Sequence, residues 1–160
     1  MGMKRVHPVG VLLVVLLAIS SCQTIDVFEK NATLESHRWQ AGDKPAFDFA
    51  IKDTNARYNI FVVIRHADAY RYNNLWVNIH TKAPGDSVAR VQALDLQLAT
   101  NEKGWLGAGM DDIYEHRIRI SQAPVLLKPG NYRFSLEQIM RDDPLEHILN
   151  VGIRVEKEPD

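Results

Sequence analysis

The chain has 160 residues, 19 basic and 20 acidic side chains, and a formal net charge of −1. That balance gives no reason to expect nucleic acid as a partner. A single cysteine excludes an intramolecular disulfide, so a domain of this size must hold together by burial alone.

The first residues read as a targeting segment. Lys4 and Arg5 form a short positive region, and residues 9–19 are apolar apart from Gly10. A transmembrane helix needs roughly 20 apolar residues, so this run suits the core of a signal peptide instead. Ile19-Ser20-Ser21-Cys22 follows: an aliphatic residue, two small residues and a cysteine. The stretch resembles the lipobox of lipoprotein signal peptidase, which cuts ahead of a diacylglyceryl-modified thiol. Residues 1–21 are therefore expected to be a cleaved signal peptide, and Cys22 the acylated, palmitate-bearing N-terminus. No cofactor is expected beyond that covalent lipid. Buried acyl chains contribute about 0.8 kcal/mol per methylene, which makes attachment by several chains effectively permanent. Gln23 follows the cysteine where an Asp would direct retention at the inner membrane of enteric bacteria. No acidic cluster of the kind found in surface-exported lipoproteins comes after it. The outer membrane, on its periplasmic face, is the expected location.

Residues 22–45 are polar and end in the turn signal Gly42-Asp43-Lys44-Pro45, so they read as an acylated tether and edge element. Residues 46–160 read as the domain proper, because period-two alternation recurs there. Phe47, Phe49 and Ile51 form the first alternating set, and residues 60–64 are apolar on both faces, as a central strand requires. Further sets are Leu75/Val77/Ile79, Leu94/Leu96/Leu98, Ile118/Ile120, Tyr132/Phe134/Leu136 and Val151/Ile153/Val155. Pro84-Gly85-Asp86 and Pro129-Gly130-Asn131 supply turns between them. Asp143-Pro144 reads as the start of one short helical turn that places Leu145, Ile148 and Leu149 on one face. Seven or eight short strands without long helical periodicity predict an all-β fold, an antiparallel β-sandwich of jelly-roll or immunoglobulin-like topology.

The sharpest catalytic motif is the apolar strand 60–64 running into Arg65-His66-Ala67-Asp68-Ala69. It resembles a phosphohistidine-phosphatase signature, but nearly forty residues of the processed chain precede it, no second histidine follows a glycine, and the helices of an α/β sheet are missing. The competing reading is a strand end carrying an exposed charged pair, and no catalytic residue is assigned. Scattered histidines and a lipidated cysteine leave no metal site. The pairs Asp111-Asp112 and Asp142-Asp143 read as solvated loop carboxylates rather than a calcium site. The glycine-rich stretch Gly104-Trp105-Leu106-Gly107-Ala108-Gly109 opens no helix and reads as a tight loop that folds Trp105 over the sandwich rim. Tyr70, Tyr72, Trp76 and Trp105 are candidate sugar-stacking rings, weighed against ordinary core or rim packing.

Several blocks taken in order carry a family resemblance. They are Tyr58-Asn59-Ile60 with Arg65, residues 70–76 (Tyr-Arg-Tyr-Asn-Asn-Leu-Trp), the glycine loop through Asp111-Asp112-Ile113, residues 138–145, and residues 151–157. Together with the lipobox they are similar to the gliding-motility lipoprotein GldH family, over nearly the whole processed domain; His147 departs from the small residue frequent in relatives. The resemblance implies a cell-envelope lipoprotein needed for gliding, alongside machinery connected with type IX secretion, and it supplies no catalytic residue. Expected partners are the membrane, through the lipid, and other envelope, gliding or secretion proteins. A non-enzymatic accessory or scaffold role leads, with a carbohydrate- or peptidoglycan-binding module as the alternative. Trp76, Trp105, Arg141 and Arg154 are the candidate ligand or partner surface, with the two arginines either tying down the Asp142-Asp143 loop or meeting a partner.

Overall fold

A computed structural model describes residues 27–159, so Cys22 and the signal segment lie outside the described residues. Its strands, in chain order, begin with β1 (Val27–Thr33), β2 (Arg38–Trp39), β3 (Ala46–Ile51), β4 (Arg57–Ala67) and β5 (Asn74–Lys82). Next come β6 (Arg90–Gln97), β7 (Ala99–Thr100), β8 (Gly104–Trp105), β9 (Ala108–Met110) and β10 (Ile113–Arg119). The last are β11 (Val125–Leu126), β12 (Gly130–Gln138), β13 (Leu145–Glu146) and β14 (Ile148–Lys157). One sheet has the order β1-β14-β4-β10-β9, with β11 also pairing β4; the other has the order β3-β12-β5-β6. Every pairing is antiparallel, and the expected all-β sandwich is what forms.

Alternation explains the core. Val62 and Ile64 of β4 and Val151, Ile153 and Val155 of β14 turn inward from the larger sheet. Phe47 and Phe49 of β3, Val77 and Ile79 of β5, and Phe134 and Leu136 of β12 meet them from the smaller one. Val63, on the outer side of β4, is also fully buried. It lies in register between Arg117 and Gly152, beneath a charged lattice. There Glu29 of β1 accepts from Arg117 at 3.1 and 3.2 Å and from Arg154 at 2.8 Å. Burial alone would raise the Glu29 carboxyl, but hydrogen bonds from the two guanidinium groups outweigh it and hold it below the usual range. Gly152 lets β1 approach β14 closely: a Cβ there would collide with the Asn31 side chain and lie 2.5 Å from the Lys30 carbonyl oxygen.

Two expectations are corrected. No helical turn follows Asp143-Pro144; that peptide bond is cis, and Leu145–Glu146 form β13, which pairs with β2. A helix would leave those backbone groups to satisfy themselves, whereas pairing with Arg38–Trp39 satisfies them and buries both Trp39 and Leu145. The glycine-rich stretch is more than a loop: β8 pairs with β7, and β9 extends the larger sheet at β10. β1 falls inside the segment read as tether and edge element, and it is the edge strand of the larger sheet. Among the described residues no helix is long and apolar enough to cross a membrane.

Register fixes which features share an end of the sandwich. Val27 pairs with Glu156 and Lys157 with Tyr58, whereas Thr33 pairs with Asn150 and Ile148 with His66. The described chain therefore enters at the Tyr58 end, and His66 lies eight residues along β4, about 27 Å away at 3.4 Å per residue.

Candidate functional site

The end opposite the chain entry gathers most of the residues singled out in the sequence. β4 delivers His66 and β10 delivers His116 from adjacent positions in the larger sheet, and both rings are buried. Their Nε2 atoms lie 2.9 Å apart. His66 Nδ1 is 2.8 Å from the Ala67 carbonyl oxygen, which can only accept, so Nδ1 carries the proton. A neutral His66 then presents a bare Nε2, and His116 Nε2–H donates to it. Burial lowers both imidazoles, His116 to about 4 with a further push from His66, so the pair is neutral near neutrality.

Aromatic rings close over this pair. The Trp105 ring centroid is 4.4 Å from that of His66, with Tyr70 at 5.3 Å and Tyr114 at 5.8 Å. Trp105 Nε1 donates to Asp68 at 2.7 Å, which pins the β8 segment on the rim. Gly107 permits the closure, since a Cβ there would lie 2.6 Å from the Glu115 carbonyl oxygen and 2.9 Å from the His116 ring. The exposed pair expected at Arg65-His66 is thus corrected. Arg65 points outward toward Glu115, while His66 is fully buried because the strand parity that exposes one side chain buries the next.

Tyr70 links this stack to a cleft. Its ring lies 5.8 Å from Tyr72, and its hydroxyl donates to the Asn74 carbonyl oxygen at 2.9 Å. Burial, with Tyr72 and Asp142 adding to it, raises the Tyr70 phenol well above its ordinary value, so it remains a donor. Tyr72 donates to Asp142 at 2.6 Å, and Arg71 stands 4.0 Å from the same carboxylate. The cleft is about 410 Å³ and is walled by residues 70–72 on one side and 141–146 on the other. Arg141 is exposed at its lip.

Gln138 holds the second wall in place. Its buried amide donates to the Asp142 carbonyl oxygen at 3.0 Å and the Trp39 carbonyl oxygen at 3.4 Å, while its Oε1 accepts from Met140 N at 2.8 Å. Asp143 accepts from Ala41 N at 2.9 Å, so the two adjacent aspartates face different partners. Among the described residues no three His, Cys, Asp or Glu side chains gather as a metal site would require.

The four surface candidates separate. Trp105 belongs to the rim stack and Arg141 to the cleft lip, while Trp76 is 41% exposed on the outer face of the smaller sheet. Arg154 lies on the outer face of the larger sheet, held by Glu29 and Glu156. It braces β1 against β14, and the Asp142-Asp143 loop is tied down by Gln138, Tyr72 and Ala41 instead. Sequence reading missed the His66–His116 pair, because fifty residues separate two positions that only strand register joins.

Fold and site define an antiparallel β-sandwich protein with a polar, aromatic rim and an adjoining mixed-charge cleft. Residues 26–155 match the GldH lipoprotein family, and the chain belongs to it. It is similar to the gliding motility lipoprotein GldH of Flavobacterium johnsoniae, with 28% identity over 96% of this chain and 98% of that one. A gliding motility lipoprotein GldH homolog of Christiangramia forsetii is 26% identical over 97% and 98% of the two chains. Among solved structures, it is similar to CBM28, a carbohydrate-binding module specific for non-crystalline cellulose. That likeness has a TM-score of 0.45 and 11% identity, covering 82% of this chain and 73% of the other.

Proposed function

We propose that the protein is a non-enzymatic accessory or scaffold lipoprotein of gliding and type IX secretion-linked envelope machinery. In this reading it is held by acylated Cys22 on the periplasmic face of the outer membrane and engages its partner through the end of the sandwich farthest from that anchor. The supporting observation is polarity along the strands. Cys22 precedes Val27 by five residues, a reach of at most about 18 Å, and Val27 enters at the Tyr58 end. The cleft, Arg71 and Arg141 occupy the other end and so face away from the membrane. Support for a non-catalytic role comes from His66, whose ring is covered by Trp105 and Tyr70 and whose two nitrogens are both engaged.

Site-directed photo-crosslinking tests the orientation. A photoreactive amino acid at position 71 or 141 should give adducts with envelope proteins, whereas position 87, in the loop at the anchor end, should give none. Equal adducts from both ends would refute the reading. Cys22→Ser should abolish incorporation of an alkyne fatty acid and leave unprocessed precursor; label persisting in that variant would remove the anchor from the scheme.

A further inference from the structure

The two long flanks of the sandwich are finished differently. On one, Phe28 of β1 packs on Phe49 of β3 at 5.2 Å. Lys30 on β1, Pro45 just ahead of β3 and Asp48 within it blunt the two edge strands there. On the other flank β6 ends the smaller sheet without such devices: Val91-Gln92-Ala93-Leu94 contains no charge, proline or glycine. β9 covers only residues 113–115 of β10, so among the described residues no strand pairs with the rest of β10 on that side. Between these two edges a cavity of about 430 Å³ opens beside Gln97, with Leu106, His116 and Ile118 in its lining.

The phase of the ladder shows which backbone groups of β6 are free. Leu98 N–H donates to the Asn73 carbonyl oxygen at 2.8 Å in the β5–β6 register. Trp76, opposite Asp95, turns its carbonyl the other way and accepts from Ile139 N–H at 3.0 Å. Alternation then aims the Leu94 and Leu96 backbone at β5 and leaves the N–H and C=O groups of Val91, Ala93 and Asp95 facing away from it. No other strand pairs with β6. A row of alternating free donors and acceptors is matched by a second extended backbone. The side chains specify more. Leu94 is only half-buried on the inner face and Leu106 is 45% exposed, so inward side chains of an added strand meet apolar surface. On the outer face Asp95 accepts from Asn74 at 2.7 Å, and among the described residues no basic side chain pairs with it. A Lys or Arg on the added strand completes that pair.

A second copy of β6 does not supply that cation. In an antiparallel twofold pair that continues the sheet, odd-numbered residues meet odd-numbered residues on the outer face. Asp95 would then face Val91, Ala93, Asp95 or Gln97, none of them basic. We infer that residues 91–97 of β6 are a docking edge for an extended segment of a different protein. That segment adds a strand to the smaller sheet, turns apolar side chains toward Leu94 and Leu106, and sets a Lys or Arg beside Asp95. The edge is separate from the distal cleft, and either can fail alone.

The test uses the full-length lipidated protein in detergent and a fluorescein-labelled synthetic peptide of alternating Leu and Thr with one central Lys. Binding, read by anisotropy, should be lost when every peptide amide is N-methylated, and should weaken about threefold when Glu replaces the Lys. Ala93→Pro removes an N–H that makes no ladder bond, so Tm should hold while binding falls about tenfold or more. Asp95→Lys should reverse the preference between the two peptides, and Arg141→Ala should leave both unchanged. Should Ala93→Pro lower Tm, the N-methylated peptide and Asp95→Lys decide. The inference is overturned if the Lys peptide does not bind, or if its N-methylated form binds as well. It is equally overturned if a normally stable Ala93→Pro variant binds like the parent, if Asp95→Lys keeps the parent's preference, or if the protein alone forms a dimer that Ala93→Pro dissociates.

Discussion

Each end of the sandwich is closed by a cluster of rings, and the two clusters are built from different chemistry. At the end where the chain enters, Phe28, Phe49, Tyr132 and Phe134 pack with centroids 5.2–6.3 Å apart, and the one hydroxyl among them accepts from Lys128 N at 2.9 Å. At the far end His66, His116, Trp105, Tyr70 and Tyr114 pack with comparable spacing, from 4.4 to 6.4 Å. The first cluster needs only burial. The second needs a particular protonation state, because two adjacent imidazoles remain buried only while both are neutral. Equal packing can thus give one end a stability indifferent to pH and the other a stability that depends on it.

The comparison breaks most severely at its hydrocarbon side. Phe49→Ala removes a ring that touches three others and is expected to cost about 4 kcal/mol, with the same loss at pH 5 and pH 8 in urea denaturation. A loss that varied strongly with pH would show that the two ends are coupled.

Next is the pH response of the distal end. A histidine whose folded pKa lies below its unfolded value contributes stability that is complete above the unfolded value, 6.5, and is lost as pH falls toward the folded one, about 4 for His116. Stability against thermal unfolding should therefore fall between pH 6.5 and 4.5, by up to about 3 kcal/mol. His116→Gln keeps a donor toward His66 Nε2 and removes one titrating ring, so its pH slope should be shallower. An unchanged slope would place the acid sensitivity elsewhere.

Gln138→Leu tests the wall of the cleft. It strands Met140 N–H and the Asp142 carbonyl in a partly buried setting, at a cost of about 1 kcal/mol. Hydrogen exchange should speed up across residues 139–143 before it does in β12. The smallest expected effect is that of Arg141→Ala, whose exposed side chain should change stability by no more than about 0.5 kcal/mol. Gliding or secretion should nevertheless fail if that end meets a partner, and normal motility in a normally stable variant would remove Arg141 from the proposal.

Period-two alternation was enough to identify β3, β4, β5, β6, β10, β12 and β14: β3, β5 and β12 bury one face, β4 and β14 bury residues on both, and in the more exposed β6 and β10 the alternating Leu94/Leu96 and Ile118 still mark the strand. β1 was harder to see: an edge strand reading Val-Phe-Glu-Lys-Asn-Ala-Thr buries little, and its charged Glu29 is spent on Arg117 and Arg154. The two-residue strands β2, β7, β8, β11 and β13 are too short to show any period. Of the candidate surface, the sequence located Trp76, Trp105, Arg141 and Arg154 but could not sort them among an outer face, a rim stack, a cleft lip and an ion lattice.

What the sequence determined by itself is local in origin. Alternating apolar residues select strands, turn residues separate them, and a lipobox-like stretch and ordered blocks mark the family. What only the tertiary structure decided is long-range. His66 meets His116, Tyr72 meets Asp142, and residues 70–72 face residues 141–146 because strand register brings distant segments to one end of the sandwich. Register depends on which faces are buried against the opposite sheet, a property of pairs of strands that no single segment contains.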